Sequence, residues 1–186
     1  PFAGVGTTLV EAVKAGHDAL GYEINPFPAL AASAKLNCLE VRPQDFRTEI
    51  DAFRSSMQRF EADVDCQCTE GGAASLDQIS DRFSDMRPAA FRSRIPFFSP
   101  PVEAKFLYAL SRASILLEPE KSLVLAALGA TMVSFSNYSY EPSLASRPGS
   151  GKALIENASV VDPVCRKLEE MLTDVEWTRQ TYGYNW

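Results

Sequence analysis

Gly4 and Gly6 stand two residues apart in the opening stretch Phe2-Ala3-Gly4-Val5-Gly6-Thr7-Thr8, and an acid, Glu23, closes the short apolar run Asp18 to Ile24. Glycines in such a turn let the backbone approach a ligand closely, and the amides opening the next helix favour anionic groups. An acid ending the following strand accepts hydrogen bonds from the two hydroxyls of a ribose. Together these residues describe a site for an adenosine-containing cofactor. A dinucleotide fingerprint requires a third glycine, but Leu9 occupies that position, and its bulk hampers the approach that a pyrophosphate needs.

S-adenosylmethionine carries an adenosine and no phosphate, and it is the cofactor these residues point to. Its methionine part would lie against the turn from Phe2 to Thr7, where backbone groups and the Thr7 hydroxyl are available to its carboxylate and ammonium. The sequence Pro-Phe-Ala-Gly-Val-Gly-Thr-Thr-Leu-Val-Glu-Ala, followed by Gly-Tyr-Glu-Ile-Asn-Pro, resembles the first two motifs of DNA methyltransferases that modify adenine N6 or cytosine N4. The resemblance covers about 26 residues. It implies that Phe2, Ala3, Gly4, Gly6 and Thr7 line the cofactor, that Glu23 holds its ribose, and that Asn25 belongs to the same site. It further implies DNA as a partner and, where such enzymes work in restriction-modification pairs, a restriction endonuclease beside it.

Methylating an exocyclic amino group requires a flipped-out base held rigidly, because the nitrogen lone pair is delocalised into the ring. The family does this with a polar residue, two prolines and an aromatic ring. The only Pro-Pro pair in the chain lies in Ser99-Pro100-Pro101-Val102, so Ser99, Pro100 and Pro101 are the catalytic candidates. Val102 cannot stack as an aromatic does, and Pro96 disfavours a central strand leading into the motif. Ser99 as a helix cap with prolines at the first helical positions is the simpler account. A second, looser resemblance runs from Ser136 to Gly149, a region that some of these enzymes carry ahead of a later catalytic motif. On that reading the family's first strand precedes Pro1, the catalytic motif follows Trp186, and the chain is a fragment expected to be inactive alone.

The elements positioning these residues follow from apolar spacing. Leu9 to Ala15 reads as a short helix capped by Thr7 or Thr8 and ended by Gly16, Asp18 to Ile24 as a buried strand, and Pro28 to Leu39 as a helix. Arg42 to Phe60 repeats Phe46, Ile50, Phe53, Met57 and Phe60 at helical spacing. Glu61 to Ser75 reads as a loop, and Leu76 to Met86 as a short helical piece. Two further helices are expected over Pro101 to Leu116 and Lys121 to Phe135. A long loop covers Asn137 to Lys152, and a last helix runs from Val164 to Trp177. The expected fold class is α/β: a partial Rossmann-like methyltransferase core, helix-rich as it stands. Its cofactor-binding segment spans 1–41 and a helical insertion 42–135, with a loop and helix over 136–186.

Composition narrows the alternatives. With 46% hydrophobic and 23% charged residues the chain is ordinary for a globular protein, and its longest apolar stretch, Ser122 to Phe135, is too short for a bilayer span. No basic region followed by an apolar run opens it, so a cytoplasmic location is expected. Cys38, Cys66, Cys68 and Cys165 with the single His17 make a poor metal set, and no metal is expected. The net charge of -6 opposes phosphate-backbone binding, although Arg87, Arg92 and Arg94 form a local basic cluster. Gly149-Ser150-Gly151-Lys152 has Ser146 at the first glycine of a phosphate loop and Ala153 after the lysine, which excludes that motif. Two other function classes stay open: a methyltransferase for RNA, protein or small molecules, and a non-catalytic DNA- or partner-binding module.

Overall fold

A computed structural model describes residues 2–69, 79, 81–86, 93–140 and 143–182. Six helices carry most of it: α1 (Thr7–Lys14), α2 (Pro26–Asn37), α3 (Pro43–Thr69), α4 (Pro100–Ser114), α5 (Glu120–Thr131) and α6 (Val161–Tyr182). Two short strands, β1 (Tyr138–Tyr140) and β2 (Leu144–Ser146), pair antiparallel with Ser139 opposite Ala145. The fold is thus helix-rich with a small sheet. Among the described residues no helix is long and apolar enough to cross a membrane, and no three His, Cys, Asp or Glu side chains gather as a metal site.

Apolar positions of four helices form one core. Phe46, Ile50, Phe53 and Met57 of α3 meet Val102, Ala109 and Ala113 of α4, Leu123, Val124, Ala127 and Leu128 of α5, and Val164, Leu168, Leu172 and Val175 of α6. Phe98, Phe106 and Phe135 pack their rings together at its edge. Each fully buried Leu or Phe contributes about 1.5–3 kcal/mol by leaving water. The cluster therefore fastens α3, α4, α5 and α6 into one body.

Helix α3 runs on to Thr69, so residues 61–69, expected as a loop, are helical. Glu61, Val64 and Asp65 keep the helical spacing through the polar stretch, and the tertiary structure uses all three. Glu61 is buried and accepts the backbone amides of Val160 and Val161 at 2.7 and 2.8 Å, which satisfies donors at the start of α6. Val64 is fully buried beside Ile79 and Ala104. Lys105 reaches out of α4 with its side chain buried. It donates to Asp65 at 2.7 Å and to Asn157 at 2.8 Å, while Asn157 also donates to Asp65 at 2.7 Å. Burial alone would raise the Asp65 carboxyl, but the bonds from Lys105 and Asn157 outweigh it and hold the carboxyl below the usual aspartate value.

Asn137 to Lys152, expected as a loop, contains the paired strands β1 and β2 and a 3-10 turn at Pro148–Ser150. The buried Asn137 organises it. Its side-chain amide donates to the Pro96 carbonyl at 3.1 Å, its Oδ1 accepts the Ile155 amide at 2.9 Å, and its backbone bonds Phe97 and Arg147. Tyr138 stacks on Phe97 and donates to the Ile95 carbonyl. Within the expected helical piece at 76–86, Ile79 and Asp81 are helical and Ser84–Met86 forms a 3-10 turn, while residues 76–78 and 80 lie outside the described residues. Glu141, Pro142, Arg87 and Arg92 lie outside them as well, while Arg94 is exposed.

Candidate functional site

The glycine turn and the Glu23 segment meet. Phe2 and Tyr22 form a parallel bridge, and the Ala3 amide donates to the Tyr22 carbonyl at 2.8 Å. Helix α1 is the connection between these two parallel pieces. Beyond the bridge the Glu23 carboxylate spans the turn: Oε2 accepts the Gly4 amide at 2.9 Å and Oε1 accepts the Asn25 amide at 2.8 Å. These amides, Asn25 first and then Gly4, stabilise the charged form and hold the carboxyl below its ordinary value of 4.5. Asn25 also accepts the Phe27 amide through Oδ1 at 3.2 Å, so its side chain caps α2, with Pro26 at the first helical position.

Gly6 rather than Thr7 or Thr8 occupies the cap of α1. Its φ of 78° is left-handed, and a Cβ there would lie 2.7 Å from the Cβ of Ala32 and 2.9 Å from its Cα. Both facts require glycine. Gly16, with φ of 77°, follows the end of α1 as its sequence position suggested. Gly4, with φ of 54°, has nothing within 4 Å of where a Cβ would stand, so the space over that peptide is open. The amides of Val5, Thr7 and Thr8 meet no acceptor among the described residues. The turn therefore presents open donors beside open space, with a carboxylate at its edge.

The expectation of a buried strand over Asp18 to Ile24 is corrected. Only the single bridge at Tyr22 forms, and Leu20, Tyr22 and Ile24 are 80, 74 and 81% exposed, with Phe2 at 76%. A strand becomes buried only when neighbours cover its faces, and here a single segment pairs with it. Ala3, Gly4, Glu23 and Asn25 nevertheless lie together, and exposed Thr7 opens α1 beside them.

The Ser99 segment lies at the start of α4. Ser99 has extended backbone angles and precedes Pro100 and Pro101 at the start of α4, with its carbonyl accepting the Glu103 amide at 2.8 Å. Its hydroxyl makes no cap bond and is enclosed without a partner among the described residues. Val102 is fully buried in the core, so this position cannot present a surface to a base. Ser99, Pro100 and Pro101 start a helix whose face is already committed.

Two residues of the site carry no signal in the motif. Ala32 is the surface against which Gly6 rests, and Lys35, one turn further along α2, donates to the Val5 carbonyl at 2.9 Å. The alanine-rich character of 29–34 hints at a close approach; nothing in the spacing links Lys35 to Val5. Lys35 also borders an apolar cleft of about 240 Å³ between α1, α2 and α6, lined by Val10, Leu36, Leu39 and Trp177. No family model, no curated protein and no solved structure matches this chain.

Proposed function

We propose that this chain carries the S-adenosylmethionine-binding part of a methyltransferase acting on amino groups of DNA bases, adenine N6 or cytosine N4. The observation that carries the reading is the Glu23 carboxylate bridging the Gly4 and Asn25 amides at the end of a parallel pair, next to a glycine turn with open donors. In parallel α/β units ligands bind at the carboxyl ends of the strands, and Gly4 and Glu23 follow the bridged residues Phe2 and Tyr22 on their carboxyl side. A ribose diol would donate to the remaining lone pairs of Glu23. The cofactor carboxylate would accept from the open amides of Val5 and Thr7, supported by the positive end of α1. Bound there, the cofactor supplies an electrophilic methyl group. The motif resemblance of residues 1–26 supplies the acceptor class.

Titration calorimetry with S-adenosylmethionine tests the site. Glu23→Ala should weaken binding about tenfold or more, the loss of charged hydrogen bonds to two hydroxyls. Equal affinity in both proteins would overturn the assignment. Gly6→Leu is a poorer probe, because any side chain there collides with Ala32 and disturbs α1 whether or not a ligand binds. The chain alone should transfer no methyl group to DNA, since its only Pro-Pro pair starts α4 and Val102 is buried. Tritium transfer from labelled cofactor to duplex DNA would refute this.

A further inference from the structure

We infer that Lys35 is a positioning residue for the cofactor turn, a role that rests on the reading above. Helix α1 buries none of its residues, so few contacts fix the turn that precedes it. The Ala3 amide holds its start to Tyr22, and Glu23 holds Gly4. Gly6 rests on Ala32, and the Lys35 ammonium holds the Val5 carbonyl between the two glycines. Glu23 has to serve both the turn and the ribose, whereas the bond from Lys35 to Val5 serves the turn alone.

The other end of this tether is firm. The Phe27 ring of α2 lies where a Cβ on Gly129 of α5 would come within 2.2 Å of it. Near the far end of α2, Asn37 donates to Ser122 at 3.1 Å and to Glu118 at 3.3 Å. Since α5 belongs to the main core, Lys35 links the Val5–Gly6 peptide to the rigid part of the molecule. A charge-assisted bond is stronger than a neutral one, and this one crosses from a core-anchored helix to a turn made mostly of glycines and small residues.

The test compares the wild-type chain with Lys35→Met, Lys35→Arg and Lys14→Met, the last removing the same charge from a lysine that pairs with Glu11. S-adenosylmethionine affinity is read by calorimetry, and amide exchange of the 2–9 peptide is read without cofactor. Lys35→Met should bind about three- to tenfold more weakly and exchange faster over 2–9, with α3 and α6 peptides unchanged. Lys35→Arg should recover most of both, and Lys14→Met should resemble wild type. Equal binding by Lys35→Met and wild type, or equal weakening by Lys14→Met, would overturn the inference. Slower exchange in α3 or α6 of the wild type than of Lys35→Met would do the same, by showing a general loss of structure. Absence of binding by the wild-type chain would instead overturn the functional reading, and the exchange data would then report whether the tether exists apart from any cofactor.

Discussion

At the scale of single residues, Glu23 and Cys165 show how surroundings set reactivity in opposite senses. Glu23 gains backbone donors from Asn25 and Gly4, which favour its charged form. Because its carboxyl is held below 4.5 when folded, the turn contact is complete above the unfolded value and is lost as the pH falls through the lower folded one. Carbon-detected titration of glutamate side chains should find Glu23 with a midpoint below the ordinary range, and a midpoint at or above 4.5 would contradict the observed bonds. Cys165 is buried in α6, and burial pushes its thiol up to about 11 despite the nearby Arg54 guanidinium. Only thiolate is a good nucleophile. Iodoacetamide at pH 8 should therefore modify exposed Cys66 well before Cys165 in the native chain, a difference that should vanish in denaturant; fast native labelling of Cys165 would refute its burial.

At the scale of elements, the junction of α3 with α6 depends on Glu61. One carboxylate oxygen satisfies two buried amides at the positive end of α6. Glu61→Ala leaves both donors unpaired in a closed environment and should cost about 2–4 kcal/mol, with Glu61→Gln less damaging because it keeps one acceptor oxygen. Urea unfolding measures both, and a loss below about 1 kcal/mol for alanine would show that water replaces the carboxylate. The neighbouring Lys105 and Asp65 pair is unequal: the lysine side chain is 2% exposed and the aspartate 52%. Breaking it strands the lysine more than the acid, so its effect is on where residues 157–161 lie rather than on surface charge. Here the three-dimensional contacts account for a helix that continues through Asp, Cys and Gln, where periodicity in apolar residues lapses.

At the scale of the whole molecule, stability is uneven. Helices α3 to α6 share the apolar core, whereas the segment from Phe2 to Ile24 joins it through α2 and a handful of hydrogen bonds. Local opening requires little free energy where few buried contacts are lost. Native-state amide exchange should find α1 exchanging through local opening and the middle of α6 only through global unfolding, and protection of α1 equal to that of α6 would overturn this division. Saturating S-adenosylmethionine should slow exchange across 2–24 if the turn is its site, since a ligand that binds only the ordered form stabilises it.

The sequence by itself determined the elements whose evidence is local. Apolar residues at helical spacing located most of α3, together with α4 and α6, alanine-rich and strongly apolar composition located α2 and α5, and Gly16 marked the end of α1. Gly4 and Glu23, singled out by their motif, lie in contact, the Gly4 amide donating to the Glu23 carboxylate. Tertiary structure alone decided what depends on partners distant in sequence. Exposure of Leu20, Tyr22 and Ile24 follows from which segments lie beside them, and the same residues in a covered sheet would be buried. The paired strands β1 and β2 follow directly on Asn137, whose side chain reaches Pro96 and Ile155. Burial of Val102 is set by the packing of α4, and Lys35 acquired its partner only when α2 folded against the turn. Local periodicity encodes which face of an element is apolar; it does not encode what covers that face, and this is why pairing, burial and tethering had to come from the folded chain.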